Sequence, residues 1–163
     1  ERPGDEDAIR ELTKTAFASA PFSDGTEPAI IDALRASGDL ALSLVAEREG
    51  RIIAQVTFSP VTVDGDYVRW VGLGPVSVEP SLQKRGVGGR LIRDGLRRIK
   101  TMGARACVLV GDPAYYARFG FDGDCGLDYA GIEARYVQRL LFAPPALAGA
   151  LRYCDAFEDA VSP

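Results

Sequence analysis

Hydrophobic and polar positions follow a helical period at the start of the chain. From Asp5 to Ala18, apolar residues recur three or four positions apart, which is the spacing of one helical face. A second run of this kind follows Thr26, a residue type that caps helices, and stops before Gly38. We therefore predict two helices, joined by a loop over residues 19–25. Their inner faces are expected to hold Ile9, Leu12, Ala16 and Phe17, and then Ile30, Ile31 and Leu34.

A period of two replaces the helical period further on and predicts three strands in a meander. Asp64-Gly65 is a strong turn signal between the second and third strands. Gly74-Pro75 interrupts the third strand, which predicts either a bulge that frees backbone groups for a ligand or a plain kink in an edge strand. The predicted strands are Leu42–Ala46, then Arg51–Ser59 continued by Val61–Val63 after an interruption at Pro60, and Tyr67–Val78.

The most strongly amphipathic stretch follows the third strand. Pro80 cannot continue a strand ladder, so the strand is expected to end at Val78. A glycine-rich turn leads into a predicted long helix, which Gly103 is well placed to end. One face of this helix is expected to be buried, through Val87, Leu91, Ile92, Leu96, Ile99 and Met102.

The remaining third of the chain predicts shorter elements. A buried strand is expected over Ala104–Val110. Asp112 as a cap and Pro113 at the first helical position predict a short helix that Gly120 closes. Late strands are expected at Tyr136–Phe142 and Leu151–Tyr153. Because no repeat or linker is visible, we expect one domain over residues 1–163.

Composition excludes several kinds of chemistry. The chain has no histidine, so a Ser-His-Asp or Cys-His relay and a zinc site with histidine ligands are excluded. Cys107, Cys125 and Cys154 lack metal-site or disulfide-framework spacing, which favours reduced thiols in a cytoplasmic protein and predicts no metal site. No apolar run approaches the roughly 20 residues of a membrane span, so no membrane association is expected.

Charge is distributed unevenly along the chain. A net charge of -4 and a pI near 4.9 argue against nucleic-acid binding. Against this acidic background, the amphipathic helix and the turn before it carry only one acidic residue, Asp94. Their basic residues are Lys84, Arg85, Arg90, Arg93, Arg97, Arg98 and Lys100.

The turn over Gln83–Gly89 has the features of an anion site. Its glycines allow close approach of a ligand, and the first N–H groups of the following helix have no internal partner. The turn lacks the Gly-Lys-Ser/Thr of a Walker loop and the glycine spacing of the dinucleotide fingerprint. The alternative is a surface helix with a solvated basic face.

Two motifs resemble those of the GNAT family of N-acetyltransferases. Gln83-Lys84-Arg85-Gly86-Val87-Gly88 resembles the family's Gln/Arg-x-x-Gly-x-Gly/Ala motif, and the segment from Tyr115 to Phe121 resembles its Tyr-x-x-x-Gly-Phe segment. Further segments, such as Leu73-Gly74-Pro75 and Gly111-Asp112-Pro113, resemble a YhbS-like bacterial branch of the family. The resemblance spans residues 42–142, which is most of the chain.

This resemblance implies a fold and a ligand. The fold is α/β (α+β): a central, mixed, mostly antiparallel sheet with one splayed parallel pair, flanked by helices. Acetyl-CoA or coenzyme A lies in the splay as a co-substrate. The family implies Tyr116 as the catalytic residue facing the coenzyme A sulfur, whereas core packing is the alternative for Tyr115. The implied contacts with coenzyme A are Val76, Ser77, Val78, Gln83, Lys84, Arg85, Gly86, Val87, Gly88, Gly89, Arg90, Asp112 and Tyr115.

The implied reaction is direct acetyl transfer to a primary amine of a small molecule or a protein, with an oxyanion donor near Val78. Many relatives carry a general base on the long strand, but this chain has Gly72 and Gly74 there, and Gln55 where close relatives often have histidine. A water chain or an acceptor of low pKa are alternatives to a protein base. The carboxylates that remain as candidates are Asp24, Glu27, Asp64, Asp66 and Asp112.

The missing base leaves two other functions open. A non-catalytic sensor or regulatory module could bind acyl-CoA through the turn without needing Tyr116, and a structural domain would bind no nucleotide. The sequence specifies neither the acceptor nor the acyl length, and a homodimer, common in the family, is also left open.

Overall fold

The part of the chain that the structure describes contains seven strands, four α-helices and three short 3-10 helices. The structure is a computed structural model and describes residues 1–18, 20 and 23–157. The helices are α1 (Glu6–Phe17), α2 (Glu27–Ser37), α3 (Val87–Thr101) and α4 (Pro113–Tyr116). The strands are β1 (Leu42–Arg48), β2 (Arg51–Val63), β3 (Asp66–Val78), β4 (Ala106–Val110), β5 (Leu127–Asp128), β6 (Val137–Leu141) and β7 (Gly149–Tyr153).

The strands form one mixed sheet in the order β5-β7-β2-β3-β4-β6, with β1 beside β2. The β3–β4 and β5–β7 pairs are parallel, and the other pairs are antiparallel. The predicted fold class, a mixed and mostly antiparallel sheet flanked by helices, is therefore confirmed.

The parallel pair of β3 and β4 separates after three residues. Trp70–Gly72 pair with Ala106–Val108, and β3 has no partner on this side beyond Gly72 among the described residues. The register between β2 and β3 shifts at the same point, because both Gly74 and Pro75 lie opposite Thr57. The Thr57 hydroxyl donates a hydrogen bond of 3.3 Å to the Pro75 carbonyl. The predicted bulge and splayed pair are present, and they leave one edge of β3 free.

The helices cover both faces of the sheet. Ser77 contacts Thr13 of α1, whereas Val76 and Val78 pack with the cluster that contains Leu91, Ile92, Leu96 and Ile99 of α3. Because neighbouring strand residues point to opposite faces, α1 and α3 lie on opposite sides of β3. None of the described helices has the length and apolarity that a membrane crossing requires.

Two predictions about element ends were wrong for local reasons. Met102 is 61% exposed, because α3 ends at Thr101 and Met102 follows it as the C-cap residue. Thr26 does not cap α2 with its side chain; its backbone is already helical and its hydroxyl donates to Asp24 Oδ1 at 2.6 Å. In α1, Thr13 is buried, whereas Ala16 and Phe17 are only half-buried.

The sequence predicts an interruption of the second strand at Pro60, and this prediction is wrong: β2 runs unbroken through Pro60. The partner β1 extends along β2 only to Phe58, and β7 begins at Val61. Pro60 therefore lies in a gap where one side of β2 has no partner strand, so its missing N–H leaves no ladder bond unmade.

The predicted short helix ends as an α-helix at Tyr116 and continues as a 3-10 helix over Ala117–Phe119, which Gly120 closes. The boundaries of the other predicted elements differ by two residues or fewer: β1 extends to Arg48 and β4 begins at Ala106. The late strands are Val137–Leu141 and Gly149–Tyr153. In the predicted loop over residues 19–25, residues 19, 21 and 22 lie outside the described part of the chain.

Candidate active site

The glycine-rich turn leaves backbone donors without partners at the start of α3. Gly86 precedes the helix with a positive φ of 86°, and no side chain of the described residues caps this end. The first helical bond runs from the Arg90 N–H to the Gly86 carbonyl at 3.1 Å. The N–H groups of Val87, Gly88 and Gly89 therefore have no partner within the helix. Three free donors at the positive end of the helix dipole suit an anionic group.

The turn lies directly against the free part of β3. The Gln83 side-chain amide donates to the Val78 carbonyl at 3.2 Å. A Cβ atom at Gly88 would lie 3.0 Å from the Val78 side chain, so the absence of a side chain at Gly88 permits this approach. The turn and the strand edge consequently form one continuous surface.

The backbone of β3 presents free groups along this surface. The Glu79 N–H donates to the Ile53 carbonyl of β2 at 2.9 Å, so Glu79 faces β2. Because hydrogen-bonding direction alternates along an antiparallel strand, Val76 and Val78 direct their N–H and C=O groups away from β2. The Val78 C=O accepts the bond from Gln83, and the remaining groups, the Val76 N–H and C=O and the Val78 N–H, face the gap between β3 and β4.

A cavity of about 790 Å³ occupies this gap. We call it the splay cavity. Among the predicted site residues, those that line it are Val76, Val78, Gln83, Lys84, Gly86, Gly88, Gly89, Tyr115 and Tyr116. Its other lining residues are Ala16, Phe17, Ala20, Leu82, Arg93, Arg118 and Phe119.

Five predicted contact residues lie outside the walls of the splay cavity. Ser77 is buried, and its hydroxyl donates to Thr13 at 3.0 Å on the α1 face. Asp112 caps α4 by accepting the Ala114 N–H at 2.9 Å. The side chain of Val87 packs on the core beneath α3, while Arg85 and Arg90 are exposed.

Two basic residues absent from the predicted set line the cavity. The Arg93 guanidinium lies 5.0 Å from the ring centre of Phe119, and that of Arg118 lies 4.6 Å from the ring centre of Tyr115. Arg93 follows the motif glycines by one helical turn, and this spacing is a signal that the sequence contained. Arg118 lies inside the tyrosine motif, but its direction depends on how α4 is placed beside α3.

Tyr116 lies at the inner end of the splay cavity and is half-buried. Its ring packs edge-on against Tyr115, with 4.9 Å between ring centres. A Cβ atom at Gly111 would lie 2.5 Å from the Tyr116 ring, so this ring occupies space that only glycine leaves free. Burial, followed by the proximity of Tyr115, Cys107 and Asp112, raises the pKa of Tyr116 to about 12. The phenol is therefore neutral throughout the physiological pH range.

A second cavity, of about 360 Å³, continues from the first. We call it the aromatic cavity. It shares Phe17, Val76 and Tyr116 with the splay cavity. The rings of Tyr129 and Tyr153 lie 5.1 Å apart, and those of Tyr153 and Phe157 lie 4.8 Å apart. Its remaining lining residues are Glu27, Ile30, Leu73, Gly74, Pro75, Val110, Tyr129, Tyr153 and Phe157.

The five carboxylates that the sequence leaves as candidate bases differ in their hydrogen bonds and in their distance from the cavities, and these differences distinguish them. Asp24 accepts hydrogen bonds from Thr26, which lower its pKa and make it a weaker base. Asp64 accepts the Ala150 N–H at 2.8 Å, Asp66 lies exposed after the β2–β3 turn, and Asp112 is occupied as a helix cap. Among these five, only Glu27 lines either cavity.

The resemblance places the general base of many relatives at Gly72 or Gly74 on β3, and the ring of Tyr153 occupies the space beside Gly72. A Cβ atom at Gly72 would overlap with the ring of Tyr153, so no longer side chain fits there in this packing. Gln55 is buried and donates to the Ser43 hydroxyl at 3.1 Å, away from both cavities. Residues 1–18, 20 and 23–157 contain no group of three or more acidic or cysteine side chains that could hold a metal ion.

Comparison with protein families gives a match over most of the chain. Residues 2–123 match the acetyltransferase (GNAT) domain. The uncharacterised N-acetyltransferase YhbS of Escherichia coli K12 is 39% identical over 108 residues, which are 66% of this chain. The match spans 65% of that relative, just under two thirds of its length. The uncharacterised N-acetyltransferase YjhQ of the same strain is 33% identical, with 92% of this chain and 87% of the relative covered.

Two solved structures resemble this one along nearly its whole length. A GNAT family acetyltransferase from Brucella melitensis, in complex with acetyl-CoA, has a TM-score of 0.87 and 45% identity, covering 96% of this chain and 94% of the other. YhbS from Escherichia coli, in complex with CoA, has a TM-score of 0.88 and 32% identity, covering 97% of this chain and 89% of the other. Both neighbours hold the same ligand type, coenzyme A with or without its acetyl group.

Proposed function

The chain belongs to the GNAT family of acetyltransferases, and on this premise we propose that it transfers an acetyl group from acetyl-CoA to a primary amine. One observation carries the proposal: a single cavity joins the uncapped start of α3, the free edge of β3 and Tyr116. Anion binding, strand-like pairing and a proton donor are thereby available along one continuous surface.

The proposed contacts with acetyl-CoA follow from the free groups of the cavity. The N–H groups of Val87, Gly88 and Gly89 bind the pyrophosphate, since they have no helical partner and carry the positive end of the helix dipole. Lys84, Arg93 and Arg118 add positive charge to the walls, which contain no carboxylate among the described residues. The amide groups of the pantetheine arm pair with the Val78 N–H and the Val76 C=O, as an added strand would.

The chemical step requires a donor for the oxyanion and a group beside the leaving sulfur. We assign the first role to the Val76 N–H, because Val76 lines both cavities together with Tyr116, whereas Val78 lies against the phosphate turn. We assign the second role to the Tyr116 hydroxyl. A thiol has a pKa of about 8.5, so complete proton transfer from Tyr116, with a pKa of about 12, is uphill by about 3.5 pKa units, or roughly 5 kcal/mol. Tyr116 therefore acts by donating a hydrogen bond to the sulfur.

Thermal unfolding with and without acetyl-CoA tests the binding part of this function, with free CoA and ATP as controls. A ligand at 100 times its dissociation constant stabilises the folded state by about 2.7 kcal/mol. We expect acetyl-CoA and CoA to raise the unfolding temperature and ATP to have little effect. No shift at millimolar acetyl-CoA would contradict the proposed site.

A non-catalytic acyl-CoA sensor is the second candidate function, favoured by one observation. Strand β3 carries glycine at the family's base positions, and the Tyr153 ring blocks a larger side chain at Gly72. Amine-dependent release of the CoA thiol distinguishes the two functions. A protein that binds acetyl-CoA but releases no thiol with any amine is a sensor.

A further inference from the structure

We propose that the aromatic cavity binds the acceptor, and that Glu27 holds the ammonium group of this acceptor and takes its first proton. The proposal rests on the acetyl transfer proposed above. The acceptor class that fits is a small primary amine with a single positive charge and an apolar or aromatic body.

The position of the cavity puts a bound molecule beside the reacting end of acetyl-CoA. The two cavities meet at Phe17, Val76 and Tyr116. Tyr116 is the residue assigned to the leaving sulfur, so the acetyl group lies at this junction. A molecule in the aromatic cavity therefore reaches the acetyl carbon from the side opposite the phosphate turn.

Glu27 is the one charged residue among the twelve that line the aromatic cavity in the described part of the chain. Its Oε2 atom is buried and accepts no hydrogen bond from any described residue. A buried carboxylate oxygen without a donor is costly, and an ammonium group supplies both a donor and the opposite charge. The unpartnered oxygen is thus the feature that selects a cation.

The walls around Glu27 select the rest of the acceptor. The rings of Tyr129, Tyr153 and Phe157 can pack against an apolar body or form a cation–π contact with the ammonium group. A volume of about 360 Å³ lies at the small end of ligand sites, which span ~300–1,000 Å³. A polyamine would bring a second charge that no side chain in these walls can pair, so a monocation is favoured.

The charged residues that line the two cavities have opposite signs. The splay cavity has Lys84, Arg93 and Arg118 in its walls and no carboxylate, whereas the aromatic cavity has Glu27 and no basic residue among the described residues. The phosphates and the ammonium are each directed to their own end by this arrangement. The same division keeps a cationic acceptor out of the phosphate turn.

Proton transfer to Glu27 makes the amine a nucleophile. One proton passes from the ammonium to Glu27 Oε2 and then to water, which leaves a lone pair on nitrogen. That pair attacks the thioester carbonyl, so that the N–C bond forms and the C–S bond breaks. The second nitrogen proton is lost after bond formation and ends on the thiolate of coenzyme A.

Steady-state thiol release by the full chain tests the proposal, with 2-phenylethylamine, aniline, spermidine and a tetrapeptide with a free N-terminus as acceptors. We expect 2-phenylethylamine to have the highest kcat/KM. Glu27→Gln should lower this value by about 10²-fold or more, because loss of a positioned base typically costs 10²–10⁴-fold. Aniline is neutral at pH 7, so any aniline turnover should be the same in wild type and Glu27→Gln.

Two further variants control this experiment. Glu11→Gln makes the same chemical change on the exposed side of α1, outside both cavities, and should leave 2-phenylethylamine turnover unchanged. Glu27→Asp keeps the charge and should retain more activity than Glu27→Gln. An undiminished thermal shift with acetyl-CoA shows that each variant is folded.

Each contrary outcome has a distinct meaning. Equal turnover of 2-phenylethylamine by Glu27→Gln and Glu11→Gln overturns the role of Glu27. A preference for spermidine or the tetrapeptide overturns the acceptor class and leaves acetyl transfer intact. Absence of thiol release with all four amines, in a protein that acetyl-CoA stabilises, overturns this proposal and the proposed transfer together.

Discussion

At the scale of single residues, Tyr116 shows how burial decides a chemical role. Its pKa of about 12 excludes efficient donation of a proton to a thiolate but keeps the hydroxyl available as a hydrogen-bond donor. The structure thereby favours one of the two roles that a tyrosine at this position can have.

Replacing Tyr116 with phenylalanine tests this role. We expect kcat to fall by about 10²-fold, the effect of removing one donor to a developing charge. The acetyl-CoA-induced thermal shift should stay the same, because the phosphate and pantetheine contacts are untouched. Between pH 7 and 9 the ratio of the two kcat values should be constant, since Tyr116 does not ionise there; a ratio that changes tenfold would contradict the pKa argument.

Arg118 offers a second test at this scale, with a matched control. Both Arg118 and Arg135 place a guanidinium over a neighbouring tyrosine ring, at 4.6 Å and 4.7 Å, but only Arg118 lines the splay cavity. Arg118→Ala should weaken acetyl-CoA binding several-fold in calorimetric titration, and Arg135→Ala should leave it unchanged. Equal affinities for the two variants would remove Arg118 from the proposed site.

At the scale of elements, the start of α3 depends on the backbone conformation of Gly86. With φ at 86°, an alanine there is strained by roughly 1–2 kcal/mol. Gly131 has φ at 71° and, like Gly86, has no atom of another described residue within 4 Å of an added Cβ, apart from its chain neighbours. The two glycines therefore differ in location and not in the strain that a substitution causes.

We expect Gly86→Ala and Gly131→Ala to lower the free energy of unfolding by similar amounts in urea denaturation. Only Gly86→Ala should also reduce acetyl-CoA affinity, because it alters the direction of the N–H groups that follow. If both variants bind acetyl-CoA as the wild type does, the turn is not the phosphate site.

Elements with a strong local signal could be predicted from the sequence, and nonlocal arrangements could not. The apolar spacing of α3 and the cap at Asp112 depend on neighbouring residues, and both predictions agree with the structure except at Met102, which is exposed. The predicted break at Pro60 is wrong, because the gap between β1 and β7 that accommodates this proline is formed by two strands distant in sequence. The sequence identifies Glu27 only as one of five candidate carboxylates. The structure distinguishes it from the other four because it alone among them lines the aromatic cavity.

At the scale of the whole molecule, the buried tyrosine and cysteine side chains make the free energy of unfolding decrease at alkaline pH. The unfolded chain ionises Tyr116 near pH 10, whereas the folded protein holds it neutral to about pH 12. Its contribution is fully present below pH 10 and is lost as pH rises from 10 to 12. Burial raises the pKa of Tyr153 and Cys107 in the same direction.

Denaturation in urea at pH 8 and pH 11 measures this effect. We expect the wild type to be markedly less stable at pH 11, with Tyr116 accounting for about 1.4 kcal/mol of the loss at that pH, the value of one pKa unit. Tyr116→Phe should lose less stability over the same interval. An identical pH dependence in the two proteins would show that Tyr116 ionises freely in the folded state.

Strand β3 pairs with β4 only as far as Gly72, and its later backbone groups face a cavity. The sheet is in this sense one strand short, and a ligand with its own amide groups completes it. Binding then resembles the docking of the last strand in folding. The amide protons of Val76 and Val78 should exchange with solvent rapidly in the free protein and slowly in the bound one. Release of coenzyme A accordingly requires its pantetheine arm to break the backbone hydrogen bonds with β3. The rate of this dissociation therefore sets an upper limit on turnover.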